Sequence, residues 1–194
     1  MNLREKIIHE TLRLFSLKGF SSTSIHDILQ AAGASKGGLY NHFKSKDELF
    51  FAVLDESRKI WREKNLDGLD GIDDPIEKIV RLLHNYKDRY LKDSDNFPGG
   101  CIFVSLAVEL PDHLPHLAGE VTAGFVRLKA MLNRLLDQAR EAGQLKEGVN
   151  TQAVTDMIFS GMLGTSVMYG MDKSPANLDR NIGSIIEHLK GLTR

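Results

Sequence analysis

The chain has 194 residues, 42% of them hydrophobic and 26% charged, and a net charge of −1. That composition fits one sizeable core, or a small module joined to a larger one, and excludes an intrinsically disordered chain. It also excludes a strongly basic body that would draw nucleic acid to its whole surface. Residues 1–50 carry seven Lys and Arg against five acids, a net of +2; the remainder carries eighteen bases against twenty-one acids, a net of −3. A single cysteine, Cys101, rules out an internal disulfide and fits a reducing compartment. The opening MNLREKIIHETL is charged and amphipathic, unlike a signal peptide. No apolar run approaches the roughly eighteen residues of a membrane span, so a cytoplasmic chain with no membrane partner is expected.

The pattern is helical from end to end, with no alternating strand signal and no hairpin turn. A first helix is expected over 3–17, with Ile8, Leu12 and Phe15 on one face, stopping at Gly19. Ser24 with Asp27 forms a capping box for a second helix over 25–32, ended by Gly33. Ser35 opens a short third helix reaching His42. Ser45 with Glu48 opens a long fourth helix over 46–64. The segment NLDGLDGIDDP breaks the chain before Pro75 starts a fifth helix reaching about residue 91. KDSDNFPGG (92–100) is a loop, CIFVSLAVEL an apolar helix closed by Pro111, and 115–142 the longest helix. Two more follow over 151–170 and 177–192, separated by a Lys173-Ser174-Pro175 turn. The expected fold class is all-α with about nine helices: a helix-turn-helix domain over 1–62 and a larger helical domain over 63–194.

Two short helices joined by a Gly-containing turn are the geometry of a helix-turn-helix, whose second helix enters the DNA major groove. Ser35 and the free N–H groups at the third helix's start suit a phosphate, and Lys36 supplies charge. Gly37 and Gly38 each cost roughly 1 kcal/mol of helix propensity, a cost that close approach to DNA would explain. Tyr40, Asn41 and His42 offer a hydroxyl, an amide and an imidazole, Leu39 and Phe43 anchor the helix inward, and Lys46 is placed for a backbone phosphate. The string Gly33-Ala34-Ser35-Lys36-Gly37 also matches the G-x-S-x-G nucleophile elbow. That motif requires a buried strand before the serine, and here a helix precedes it. No nucleophile–base or carboxylate pair is visible elsewhere, so no catalytic residue and no enzyme activity are expected.

The string GFSSTSIHDILQAAGASKGGLYNHFKSKDELF (19–50) resembles the DNA-binding domain of the TetR family of bacterial regulators nearly end to end. Matching points are Leu14-Phe15, Gly19-Phe20, Thr23-Ser24-Ile25, Ile28, Ala32-Gly33, Ser35-Lys36-Gly37, Leu39-Tyr40, His42-Phe43 and Ser45-Lys46. Glu10-Thr11 departs from the paired alanines usual in the first helix. Gly38 and Asn41 lie where members vary, which leaves the operator sequence open. The resemblance implies phosphate contacts on Thr23, Ser24, Tyr40, His42 and Lys46, and groove or base contacts around 35–41. It also implies a homodimer on a palindromic double-stranded operator, with a C-terminal domain that takes a small-molecule effector and changes the spacing of the two heads.

For the dimer, Ser160, Gly161, Gly164 and Gly170 would let helices approach closely, beside Ile182, Ile185, Ile186 and Leu189; the same faces also suit packing within one chain. For a small, partly apolar effector the candidates are His84, Phe97, Phe103, Phe125, Phe159, Met162 and Tyr169, and residues of this kind equally make plain core. Cys101, after Pro98-Gly99-Gly100 at a helix start, is either a thiol activated by the helix dipole or a small core residue. A Gly-Cys at this place is similar to that of several family members. His113 and His116 are three apart with Pro115 between and Asp112 the nearest acid, so no metal and no cofactor are expected. If Lys36 and Lys46 contact phosphates, replacing either weakens binding to every duplex alike and flattens the salt slope by about 0.9 per lost contact, whereas Tyr40 or Asn41 changes shift sequence preference. Salt titrations of binding by each alanine variant check this.

Overall fold

Side-chain caps set the helix starts. The computed structural model describes residues 1–110 and 114–194. Asn2 caps α1 (Leu3–Lys18), with Glu5 completing a capping box, and Ser24 with Asp27 does the same for α2 (Ile25–Ala32). Ser35 caps α3 (Lys36–Tyr40) by accepting the Gly38 N–H. Then come α4 (Lys46–Asn65), α5 (Pro75–Asn85) and a π-helical turn (Tyr86–Tyr90), with α6 (Ile102–Glu109), α7 (Pro115–Glu141), α8 (Thr151–Asp172) and α9 (Pro175–Gly191) completing the order. Among the described residues there are nine α-helices and no strand beyond an isolated bridge between Leu145 and Thr193. The chain is all-α, as expected.

The boundaries differ by two residues or more in four places, one of them the end of α8, which runs to Asp172 rather than 170. α3 stops at Tyr40, two residues short of the expected end. α5 loosens into the π turn, in which the Leu91 N–H reaches back to the Tyr86 carbonyl. Pro175 does not sit in a turn: it occupies the first turn of α9, where its missing N–H costs nothing, and Ser174 caps the helix. Pro111, expected to close α6, and Asp112 and His113, weighed with His116 and set aside as a metal set, lie outside the described residues.

Packing groups the described chain into two units, one of residues Met1–Trp61 and Asp93–Val121, the other of Arg62–Lys92 and Thr122–Arg194. Residues 93–121, which the sequence reading assigns to the larger domain, thus pack with the N-terminal helices. In the first unit Ile8, Leu12, Phe15, Ile28, Leu39, Phe43, Leu49 and Phe50 form the buried core. Phe15, Phe20 and Phe50 make an aromatic triangle with centroids 5.4, 5.4 and 6.4 Å apart. Edge-to-face contacts of this kind add roughly 0.5–1.5 kcal/mol each beyond burial. The loop before α6 presses on the end of α1: the Gly99 N–H donates to Ser16 Oγ at 2.9 Å, and that hydroxyl donates to the Gly100 carbonyl at 3.2 Å.

In the second unit α8 packs along α9, and α9 along α5. Tyr86 stacks on Tyr90 at 5.7 Å and its hydroxyl donates to the Met162 carbonyl. Ile182, Ile185, Ile186 and Leu189 are buried inside the protomer, which corrects their expected place on a dimer face. Gly161 belongs to the same internal contact, since a side chain there would meet Ile185 Cδ1 at 2.7 Å. The exposed large apolar side chains of α8 are Val167, Met168 and Met171. Ser160 and Gly164, also exposed, lie on the same stripe at i, i+4, i+7, i+8 and i+11.

A Cβ at Gly99 would overlap the Ser16 backbone carbonyl. Backbone cannot yield as a side-chain tip can, so Gly99→Ala is expected to destabilise the protein by about 1–3 kcal/mol, read as a lower midpoint in urea unfolding.

Candidate nucleic-acid interface

The interface is built on α2, the turn after it, and α3. Ser24 starts α2; Gly33 closes it in the left-handed conformation, with its N–H bonded to the carbonyls of Leu29 and Gln30. Ala34 follows, and Ser35 caps α3 with its hydroxyl 3.1 Å from the Gly38 nitrogen. Leu39 and Phe43 are buried and fix the inner side of the short helix. Ser35, Lys36, Gly37, Tyr40, Asn41 and His42 are all exposed, with Tyr40 showing 42% of its surface. The outer side of α3 and the two residues after it therefore collect a cation, a phenol, an amide and an imidazole on a well-anchored support.

The two glycines separate. Among the described residues nothing beyond its chain neighbours and its own helix backbone comes within 4 Å of where a Cβ would lie at Gly37, so that position faces open space. At Gly38 a Cβ would sit 3.3 Å from Leu3 and from Ser35 Oγ; that glycine accommodates the protein itself, contrary to the sequence reading.

Two expected phosphate contacts need correction. Thr23 is fully buried and its hydroxyl donates to the Gly19 carbonyl at 2.6 Å, so its side chain serves the loop. Lys46 is half-buried and turned inward: its ammonium donates to the Phe20 carbonyl at 2.5 Å and lies 4.1 Å from the centre of the Phe20 ring. Burial pushes the Lys46 ammonium below its ordinary pKa, against the opposing pull of Glu109, Asp47 and Asp27. The salt-slope expectation accordingly rests on Lys36. Ser24 remains exposed, with its hydroxyl 2.7 Å from Asp27.

The candidate effector residues do not form one cluster. Phe97, Cys101 and Phe103 are buried in the first unit, Cys101 as the residue preceding α6. In the second unit, the Phe125 and Phe159 rings lie 5.6 Å apart, Met162 is buried, and Tyr169 is half-buried beside Lys173. His84 is exposed on α5, since the buried face of that helix is carried by Ile76, Ile79, Val80, Leu82 and Leu83; this corrects its expected place at an apolar site. The second unit does carry a groove of about 580 Å³, but its lining is polar, with Lys129, Asn133, Arg134 and Asp137. Among the described residues no group of three or more His, Cys, Asp or Glu could hold a metal, and no helix is long and apolar enough to cross a membrane.

Sequence reasoning missed Glu109. Both of its oxygens accept backbone N–H groups of the α1–α2 loop, from Phe20 at 2.8 Å and Ser21 at 2.5 Å. The available signal was its place as the one charge in an otherwise uncharged helix, IFVSLAVE. His116 on Asp47 at 3.0 Å and Arg58 on Glu120 at 2.9 Å went equally unseen, both being contacts between residues far apart in sequence.

The arrangement of α2, the Gly33-Ala34 turn and α3 is that of a helix-turn-helix. A family profile described as bacterial regulatory proteins, tetR family, matches residues 7–53. A second, described as tetracyclin repressor-like, C-terminal domain, matches residues 75–185. The chain belongs to the TetR family, whose members are transcriptional regulators and not enzymes. It is 36% identical over 111 residues to an uncharacterized HTH-type transcriptional regulator in the lacX 3′ region of Lactococcus lactis, covering 56% of this chain and 55% of that one. It is 32% identical over 102 residues to the HTH-type transcriptional regulator LmrA of Bacillus subtilis, covering 51% and 54%. The chain thus spans about half the length of these curated relatives. Its fold matches a TetR transcriptional regulator from Chloroflexus aurantiacus with a TM-score of 0.89 at 25% identity, over 99% of this chain and 96% of that one.

Asp27 ties α2 back to Lys18 at 2.9 Å while it caps its own helix. The Lys18 ammonium and the Ser24 donors hold its carboxyl far below the ordinary 3.8. A depressed carboxylate contributes stability above its unfolded value and loses it as pH falls through the folded one. The stability gap between wild type and Asp27→Asn is therefore expected to be full at neutral pH and to shrink below about pH 3.8, measured by denaturant unfolding at each pH.

Proposed function

We propose that the chain is a cytoplasmic, homodimeric repressor that binds a short palindromic duplex operator and leaves it when a small, partly apolar effector occupies the larger domain. The observation that carries this is the exposed outer side of α3 and the turn after it, where Lys36, Gly37, Tyr40, Asn41 and His42 are exposed on a buried Leu39–Phe43 anchor. Ser24 and Ser35, at the starts of α2 and α3, add hydroxyls and helix-start N–H groups for phosphates. Repression is supported by the tetracyclin repressor-like description of the C-terminal match.

The stripe of Ser160, Gly164, Val167, Met168 and Met171 supports dimerisation through α8. It leaves apolar side chains in water, with small residues beside them that permit close helix approach. A two-fold dimer would set two recognition helices in successive major grooves roughly 34 Å apart. Effector binding ends repression only if the effector prefers the state whose head spacing no longer fits, which is a coupling free energy between two sites. No cofactor enters this reading.

The test is binding of the purified protein to DNA from around its own gene, with Tyr40→Ala alongside. Tight, salt-sensitive binding that resists competitor DNA and is lost in the variant is expected. Binding equally weak to upstream and random duplexes at low salt, by a proven dimer, would contradict the reading.

A further inference from the structure

Residue Phe20 is held at three points by three different helices. Its N–H donates to Glu109 at the end of α6 (2.8 Å), its carbonyl accepts the Lys46 ammonium from the start of α4 (2.5 Å), and its ring sits 5.4 Å from each of Phe15 and Phe50. Glu109's other oxygen takes the next N–H, that of Ser21, at 2.5 Å. The loop is shaped for this carboxylate: Gly19 has φ +80°, and a side chain there would run into Glu109 Oε2. From Phe20 further bonds lead toward α2. The Thr23 N–H donates to the same Phe20 carbonyl at 3.2 Å, the Thr23 hydroxyl donates to Gly19, and Ser24 caps the helix.

We propose that Glu109, which lies outside the helix-turn-helix and does not touch DNA in this reading, is a positioning residue for operator recognition. Its carboxylate fixes the α1–α2 loop, hence the start of α2, and through the Gly33-Ala34 turn the pose of α3. A carboxylate bonded to two adjacent N–H groups is a stiff fixture, because charge-assisted bonds are short and roughly twice as strong as neutral ones. Base-edge contacts demand that stiffness, since a side chain displaced by about an ångström forfeits its hydrogen bond. Contacts to phosphates by long cationic side chains tolerate the same displacement. Loss of Glu109 should therefore reduce discrimination between sequences more than overall attraction to DNA. The inference rests on the DNA-binding reading and assigns that activity a residue that lies well beyond the helix-turn-helix in the chain.

The experiment uses the full-length protein, a duplex selected by the wild type from a random-sequence library, and a random duplex of equal length. Glu109→Ala, Glu109→Gln and the neighbouring Val108→Ala are compared, Val108 being 82% exposed. Glu109→Ala is expected to bind the selected duplex about tenfold or more weakly, as losing a charged hydrogen-bond acceptor implies. It should bind the random duplex within about twofold of wild type, Lys36 being untouched. Amide hydrogen exchange should quicken at Phe20 and Ser21. Glu109→Gln, which keeps one acceptor oxygen, should fall between, and it reads the same ratio if the alanine variant does not fold; Val108→Ala should match wild type. A selected-to-random ratio that is unchanged or raised, even with a lowered melting temperature, would make Glu109 merely structural and overturn the proposal. A wild type that selects no sequence at all would sink the DNA-binding reading, and the proposal with it.

Discussion

The N-terminal helices hang on the contact between Phe15, Phe20 and Phe50. α2 and α3 are eight and five residues long, too short to persist on their own caps, and α3 contributes little more than Leu39 to the core. What places them is the loop before α2, and what places the loop is a phenylalanine ring wedged between one residue of α1 and one of α4. Burial provides most of the free energy there, and edge-to-face geometry makes the wedge directional. Polar contacts then complete it. Lys46 and Glu109 each engage the Phe20 main chain, and Lys18 reaches across to Asp27. A recognition surface of exposed functional side chains is thereby carried on a support whose main chain is bonded at Gly19, Phe20, Ser21, Thr23 and Ser24.

Much of this was legible along the chain, because helix caps and apolar spacing are local. Ser24 with Asp27, Ser35, Pro75 and the glycines at 19 and 33 announce helix ends within a few residues of where they act, and the starts of α2, α4 and α5 agree with the structure to the residue. The outer side of α3 was legible for the same reason: once Leu39 and Phe43 point inward, helical geometry sends Lys36, Gly37 and Tyr40 outward.

What escaped depends on contacts across long stretches of sequence. Thr23 and Lys46 read as phosphate ligands until the folded loop turns both toward their own main chain. The four apolar side chains of α9 read as a dimer face until α8 and α5 cover them. Glu109 meets Phe20 across eighty-nine positions, and only the structure puts residues 93–121 beside the N-terminal helices. The effector candidates show the weakness of composition as a guide. Aromatic and Met residues at helical spacing are what any helical core contains, and here they scatter through two packing units, with His84 facing water.

The most direct test of the account is to record which amides of the full-length protein shift when its selected operator duplex is added. The account predicts that the largest changes fall on residues 35–42 and on Ser24, with smaller ones at the Phe20–Ser21 amides held by Glu109. Changes concentrated in residues 122–194, with residues 35–42 unmoved, would contradict it.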